Sequence, residues 1–192
     1  MNIKFLNRFN LINEREEFEI VLDDVKRNAL TEGTNLWILF FAILIASLGL
    51  NVNSTPVVIG AMLISPLIGP IVGVGFGAAT NDLKLIRTSL RSYLFSTLVG
   101  LIASTIYFIV TPITTAQPEI LSRIFPSFYD VLIALFGGFA GIIALATKQK
   151  GNVIPGVAIA TAIMPPLCTA GYGLANMEWY YFLGALTSHD FC

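Results

Sequence analysis

The segment Asn53–Gly77 constrains this chain most, because it is apolar enough for a membrane interior and yet is interrupted by three prolines and five glycines. Pro66 and Pro70 each lack a backbone N–H and clash with the preceding turn, so a helix is expected to kink or break near Ser65–Pro70. In lipid, the carbonyls freed by such a break need new partners. The break therefore has to lie against protein or line a wet cavity.

The composition of the whole chain is typical of a polytopic membrane protein. Of its 192 residues, 55% are hydrophobic and only 12% are charged, and charge is absent from long stretches. No basic patch lies outside short loops, so nucleic-acid binding has no support. Cys168 and Cys192 indicate neither a disulfide framework nor a metal site. The one histidine is His189 and no acidic pair lies within an apolar segment, so we expect no enzyme, no cofactor and no metal.

The charge pattern divides the chain into a polar N-terminal region, residues 1–35, and a transmembrane domain, residues 36–192. Apolar residues at helical spacing between Phe18 and Val25 predict an amphipathic helix in the first region. Because its polar face is acidic rather than lysine-rich, we expect this helix to dock on the cytoplasmic face of the protein itself rather than to sense lipid. The predicted spans are 36–52, 56–79, 93–110, 128–147, 153–175 and a partial span, 179–187.

The end of the chain is unlike the rest. The apolar run that begins at Trp179 stops at Thr187, which is too short to cross a bilayer. The sequence after Thr187 therefore suggests a truncated or frame-shifted last helix.

The positive charges give these spans one orientation. With the N-terminus in the cytoplasm, ten of the eleven Lys and Arg residues fall inside and only Arg123 falls outside. By the positive-inside rule, we expect a multi-pass protein of the inner (cytoplasmic) membrane with a cytoplasmic N-terminus.

The second and fifth predicted spans match at an offset of 100 residues. The coincident pairs are Val57/Val157, Ile59/Ile159, Pro66/Pro166, Leu67/Leu167 and Gly73/Gly173. Each span is the middle one of three, so the two units cross the membrane in opposite senses, as inverted-topology repeats do. The predicted fold is an all-α polytopic transmembrane helix bundle of two inverted three-helix repeats, whose middle helices are broken by proline and glycine.

Small residues recur at helical spacing in two of the spans, which lets another backbone approach closely. In the second span they lie four residues apart, and in the fourth span they are glycines. We expect helix packing at Ala61, Gly73, Gly77, Gly137 and Gly141. The same rows of small residues favour a homo-oligomer in the lipid bilayer.

Three stretches resemble the prokaryotic membrane family called domain of unknown function 389. They are IASLGL at Ile45–Leu50, VIGAMLISPLIGP at Val58–Pro70, and Asn81-Asp82. The resemblance covers roughly residues 20–187. It implies an integral membrane protein of bacteria or archaea whose final helix continues beyond Thr187, and it implies no activity.

Two functional hypotheses remain open from the sequence. In the first, breaks in both middle helices form a site that translocates a small solute or ion, with exposed carbonyls facing cations and half-helix N-termini facing anions. The residues of that site would be Ser65, Pro66, Gly69, Pro70, Thr161, Pro165, Pro166 and Thr169. In the second, the prolines and glycines only kink packed helices, and the protein has an assembly or regulatory role without transport.

Overall fold

The computed structural model describes residues 15–111, Pro118, residues 128–147 and residues 156–190. Across these ranges the chain is all-α, as predicted, and forms no strand beyond an isolated bridge between Arg15 and Thr147. The eight helices of the described residues are α1 (Phe18–Asn28), α2 (Thr34–Asn51), α3 (Thr55–Ile64), α4 (Ile68–Thr80), α5 (Leu83–Val110), α6 (Phe128–Leu145), α7 (Gly156–Ala175) and α8 (Trp179–Asp190).

Two of these helices, α2 and α5, are each long and apolar enough to cross a membrane. Helices α3 and α4 together make a third candidate span, bent by 59° at the link between them. Their outer faces carry exposed apolar side chains such as Trp37, Phe41 and Ile45 on α2. A water-soluble domain rarely exposes so much contiguous apolar surface, so these helices are those of a membrane protein.

The buried apolar residues form two separate clusters. The larger joins α2, α3, α5 and α7, with α8 packed at its edge, and it includes Leu39, Ile43, Met62, Leu67, Met164 and Tyr172. The smaller joins α1, α4 and the first turns of α5, through Val21, Val25, Ala29 and Leu85. The bend between α3 and α4 therefore marks the point where the chain passes from the main bundle to a smaller three-helix layer.

Helix α7 lies at the centre of the bundle. It packs against α2, α3, α5, α6 and α8 and touches α4. Every residue from Met164 to Gly173 is buried, on all sides of the helix. A helix that is buried all round needs no polar face, which agrees with the absence of charged residues in this segment.

Three corners between consecutive helices share one geometry. Each has a glycine near the end of the first helix, a residue with positive φ four positions later, and a backbone N–H from the following residue to that glycine's carbonyl oxygen at 2.8–2.9 Å. This pattern matches a Schellman-type helix end. The glycines are Gly49, Gly77 and Gly173, and the positive-φ residues are Asn53, Asn81 and Met177.

These corner glycines permit close contact between antiparallel helices. A Cβ on Gly77 would lie 3.1 Å from the backbone nitrogen of Ile86, and one on Gly173 would lie 2.6 Å from that of Phe182. At the corner between α4 and α5, Asp82 also caps the new helix, because its side chain accepts hydrogen bonds from the backbone N–H groups of Lys84 and Leu85 at 3.1 and 3.0 Å.

The predicted amphipathic helix is present as α1 and packs on the protein. Val21 and Val25 are buried against α4, and the rings of Phe18 and Phe76 stack with centroids 5.8 Å apart. The acidic and basic residues lie on its outer face, where Arg27 pairs with Asp23 at 2.6 Å. The buried side chains of α1 are thus apolar, and they face α4.

One expectation from the sequence is wrong, and two helices extend beyond the apolar runs within them. Helix α7 runs from Gly156 to Ala175 without interruption, with Pro165 and Pro166 inside it, so the second of the two predicted breaks does not occur. Helix α5 begins at Leu83 and so extends ten residues before the predicted span 93–110, because the charged residues that precede an apolar span can still be helical. Helix α8 ends at Asp190, three residues beyond the apolar run 179–187, and its 12 residues are still too few to cross a bilayer.

Candidate functional site

The link between α3 and α4 is three residues long, Ser65, Pro66 and Leu67. Ser65 has φ −68° and ψ 128°, the extended conformation that a residue preceding proline prefers. Its N–H donates to the carbonyl of Met62 at 3.2 Å, and its hydroxyl accepts a long hydrogen bond of 3.5 Å from the N–H of Leu67. Ser65 thus ends one helix and supports the turn, and its side chain is buried.

The two residues after the link pack closely against their surroundings. A Cβ on Gly69 would overlap the backbone carbonyl oxygen of Asn28, at the end of α1. Pro70 is fully buried and lies in the first turn of α4, where its missing N–H breaks no helical hydrogen bond. Both residues of the predicted site therefore fit α4 to its neighbours, and the end of α1 covers Gly69.

The proline pair lies on the central helix, within the same buried cluster as the link. Leu67 of the link and Met164 and Leu167 of α7 belong to that cluster, and both α3 and α4 contact α7. Pro165 and Pro166 are themselves buried. The structure therefore brings the interrupted helix and the proline pair into one core, although only one of the two helices is interrupted.

The structure describes the side chain of one of the two threonines of the predicted site. Thr169 is completely buried, and its hydroxyl has no hydrogen-bond partner among the described residues. A buried hydroxyl without a partner costs about 1–3 kcal/mol, so this atom is a place where water or a polar solute would be stabilised. Thr161 lies on α7, but its side chain is outside the part of the chain that the structure describes.

The residues that we expected to pack between helices lie on three helices, α3, α4 and α6. Ala61 is fully buried on α3. Gly73 faces Ala29 and Ser89, since a Cβ there would lie 2.9 Å from the Cβ of Ala29. Gly77 belongs to the corner between α4 and α5. On α6, Gly141 is buried and Gly137 is half-buried.

A polar contact that the sequence analysis missed joins three helices in the main bundle. The hydroxyl of Ser47 on α2 donates to that of Ser104 on α5 at 3.2 Å, and Ser104 donates to the carbonyl oxygen of Cys168 on α7 at 3.1 Å. Close approach is possible because a Cβ on Gly171 would lie 2.6 Å from the Cβ of Ser104. The spacing of Ser96, Gly100 and Ser104, each four residues apart on one face, was the available signal.

Charged side chains are scarce around the link. No three His, Cys, Asp or Glu residues in the described ranges lie close enough to hold a metal ion. Helices α2, α3, α4 and α7 contain no Asp, Glu, Lys or Arg. What this site can supply is backbone carbonyls at a helix interruption and a few buried hydroxyl groups.

The sequence model of one family matches two thirds of the chain. It is the model described as domain of unknown function (DUF389), and it matches residues 62–189. The chain belongs to the DUF389 family. The match begins at Met62, inside the segment whose proline pattern suggested the family, and it includes the helix interruption, α5, α7 and α8.

A relative of this DUF389 protein is the uncharacterized protein MJ0678 of Methanocaldococcus jannaschii, which is 29% identical over 157 residues. The alignment covers 82% of this chain and 48% of MJ0678, so the chain spans about half the length of that relative. No solved structure matches the chain.

Proposed function

We propose that this DUF389 protein is a non-enzymatic membrane protein that translocates a small neutral solute or an ion through its helix bundle at the α3–α4 link. The observation that carries the proposal is the interruption itself. A three-residue link within an apolar segment, bent by 59° and packed on the central helix, stops the hydrogen-bond ladder of a candidate span. Interrupted helices are the usual binding sites of secondary transporters.

The chemistry of the surrounding side chains limits the class of solute. Because α3, α4 and α7 carry no ionisable Asp, Glu, Lys or Arg, a carboxylate proton relay and a strongly charged site are both unfavourable. Buried hydroxyls without a described partner, on Thr169 of α7 and on Ser96 and Thr97 of α5, suit a neutral hydrogen-bonding solute. An ion would instead be held by backbone carbonyls at the link.

We further propose the inverted repeat and the inner-membrane topology, on the following support. The corner between α7 and α8 has the same geometry as that between α4 and α5, which pairs Gly173 with Gly77 at an offset of 96 rather than with Gly73, its match at the offset of 100. The offset between Pro66 and Pro166 is 100. The part of the middle helix that follows the proline is therefore four residues, about one turn, shorter in the second unit than in the first. The bridge between Arg15 and Thr147 joins the N-terminal segment to the end of α6. This contact supports placing both on the cytoplasmic side of the membrane.

The partners that we propose are the lipid bilayer and a second copy of the chain. Helix α6 is the support for an oligomer, because it packs mainly against α7 and exposes Ile133, Phe136 and Phe139. On the same helix, no atom of another residue packs within 4 Å of the position that a Cβ on Gly138 would take.

A flux measurement tests translocation. The full chain would be reconstituted in liposomes, and solute entry would be followed by light scattering for urea and glycerol and by bilayer current for Na⁺, K⁺ and Cl⁻. We expect faster flux of at least one of these than in protein-free liposomes, and a reduced flux in Thr169→Val. Thr105→Val is the matched control, because the hydroxyl of Thr105 already donates to the carbonyl of Leu101 at 2.7 Å. If the flux of every tested solute and ion equals that in protein-free liposomes, the proposal is contradicted.

A second candidate function is favoured by the packing of the N-terminal segment. Helix α1 covers Gly69 next to the link, and the N–H of Glu16 donates to the carbonyl of Ala146 at 3.0 Å. The segment thus joins α4 to the end of α6, as an assembly or regulatory element would. If this is the function, liposomes show no flux, and the chain co-purifies with a specific membrane partner that is lost when α1 is deleted.

A further inference from the structure

One face of α5 changes from basic to apolar along its length. Near its start this face presents Lys84, Arg87 and Arg91, all exposed. Farther along, the same face presents apolar side chains that are more than half exposed. They are Leu94, Leu98, Ile102, Ile106 and Ile109. The spacings of three and four residues place all eight side chains on one side of the helix.

The length of the apolar part fits the interior of a bilayer. From Leu94 to Val110 the helix rises about 24 Å, most of the ~30 Å hydrocarbon core. Arg91 lies one turn before Leu94, so its flexible stem reaches back from the hydrocarbon edge to the level of the headgroups. Measured along the helix axis from Arg91, Arg87 and Lys84 lie about 6 and 10 Å farther from the hydrocarbon.

The three basic groups are free to bind an anion from this side. None of the three forms an ion pair with a carboxylate of the described residues, and the basic residue that pairs with Asp23 is Arg27. The carboxylate nearest in sequence, Asp82, is occupied as the N-cap of α5. The opposite face of the helix is covered, since Leu85 and Ser89 are buried.

We propose that Lys84, Arg87 and Arg91 bind the phosphate headgroup of an anionic phospholipid whose acyl chains lie along the apolar part of the same face. The three basic groups complement an anionic headgroup in charge, and the lipid-facing side chains follow them without a gap along the same face. Clusters of Lys and Arg next to a membrane span attract anionic lipid, with a gain of about fivefold in affinity for each side chain. This site is separate from the α3–α4 link and does not depend on translocation.

Native mass spectrometry of the full chain in detergent tests the proposal. Phosphatidylglycerol and phosphatidylcholine with identical acyl chains would be compared on the wild type, on K84Q/R87Q/R91Q and on K4Q/R8Q/K26Q. The last removes the same number of positive charges from the N-terminal region. We expect the wild type to prefer phosphatidylglycerol, the first variant to lose that preference and the second to keep it. Equal preference in all three, or equal loss in both variants, would overturn the proposal.

Two further arms distinguish the alternatives. The charge-preserving variant K84R/R87K/R91K is expected to keep the preference, and its loss would contradict recognition through charge. Inorganic phosphate would be compared with chloride at equal ionic strength as a competitor. If phosphate alone displaces the lipid, the basic face is a site for free phosphate and the lipid assignment is wrong.

Discussion

Replacing Gly69 by alanine is expected to destabilise the protein by about 2 kcal/mol or more, a large effect for the addition of one methyl group. The new Cβ would overlap the backbone carbonyl oxygen of Asn28, which cannot move aside by a change of rotamer. The end of α1 would have to leave α4, and the smaller cluster would lose Val25 and Ala29. Equilibrium unfolding in mixed micelles measures the loss, and limited proteolysis of residues 18–33 reports the release of α1.

Gly75→Ala is the matched control for this variant, because it makes the same change in the same helix. No atom lies within 4 Å of the position that a Cβ on Gly75 would take. Alanine there is expected to stabilise the helix by about 0.5–1 kcal/mol, since glycine is the weaker helix former. If the two variants have equal stability and equal protease resistance, α1 does not pack on α4 as described.

Leu67→Ala is expected to cost about 2–5 kcal/mol of unfolding free energy. Leu67 is the last residue of the link, and its side chain is only 1% exposed in the cluster that includes Met62 and Met164. Removing it leaves a cavity between the interrupted helix and the central helix.

The control for this variant is Leu63→Ala, the same substitution one turn earlier on α3. Leu63 is 42% exposed and faces away from the core, so the expected cost is below about 1 kcal/mol. Thermal unfolding of the two variants in the same detergent gives the comparison. Equal costs would mean that the link does not pack on the central helix.

The two proline-rich segments show how far the sequence could predict this fold. At the first, the residue before Pro66 is extended, and the helix stops as proline predicts. At the second, the helix continues through Pro165 and Pro166. The difference is tertiary, because α7 is surrounded by other helices and is buried on every side from Met164 to Gly173, and packing of this kind supports a helix that has lost hydrogen bonds. Local sequence rules do not include those neighbours.

At the candidate site, too, the sequence predicted the local features but not the contacts between distant residues. The sequence indicated the break and its serine, because both depend on a proline and its immediate neighbours. It did not indicate that the end of α1 covers Gly69, or that Ser104 joins Ser47 to the backbone of Cys168. These contacts link residues far apart in the chain, and no local periodicity specifies the partner. The four-residue spacing of Ser96, Gly100 and Ser104 could have indicated that Ser104 faces inward, but it carries no information on what Ser104 contacts.

The proposal of translocation depends most on whether water reaches the α3–α4 link. Labelling by a small, membrane-impermeant thiol reagent in native membranes is the direct measurement. Ser65→Cys and Thr169→Cys would each be made with Cys168 and Cys192 replaced by alanine. Leu83→Cys, at a position 74% exposed at the start of α5, is the control for full access.

Native Cys168, with Cys192 removed, is the control for a dry interior, because its side chain is fully buried. Our account predicts that the cysteines at positions 65 and 169 are labelled clearly faster than Cys168 and more slowly than the cysteine at position 83. If both are labelled as slowly as Cys168 while the cysteine at position 83 reacts, the link is a packed kink, and translocation through it is wrong.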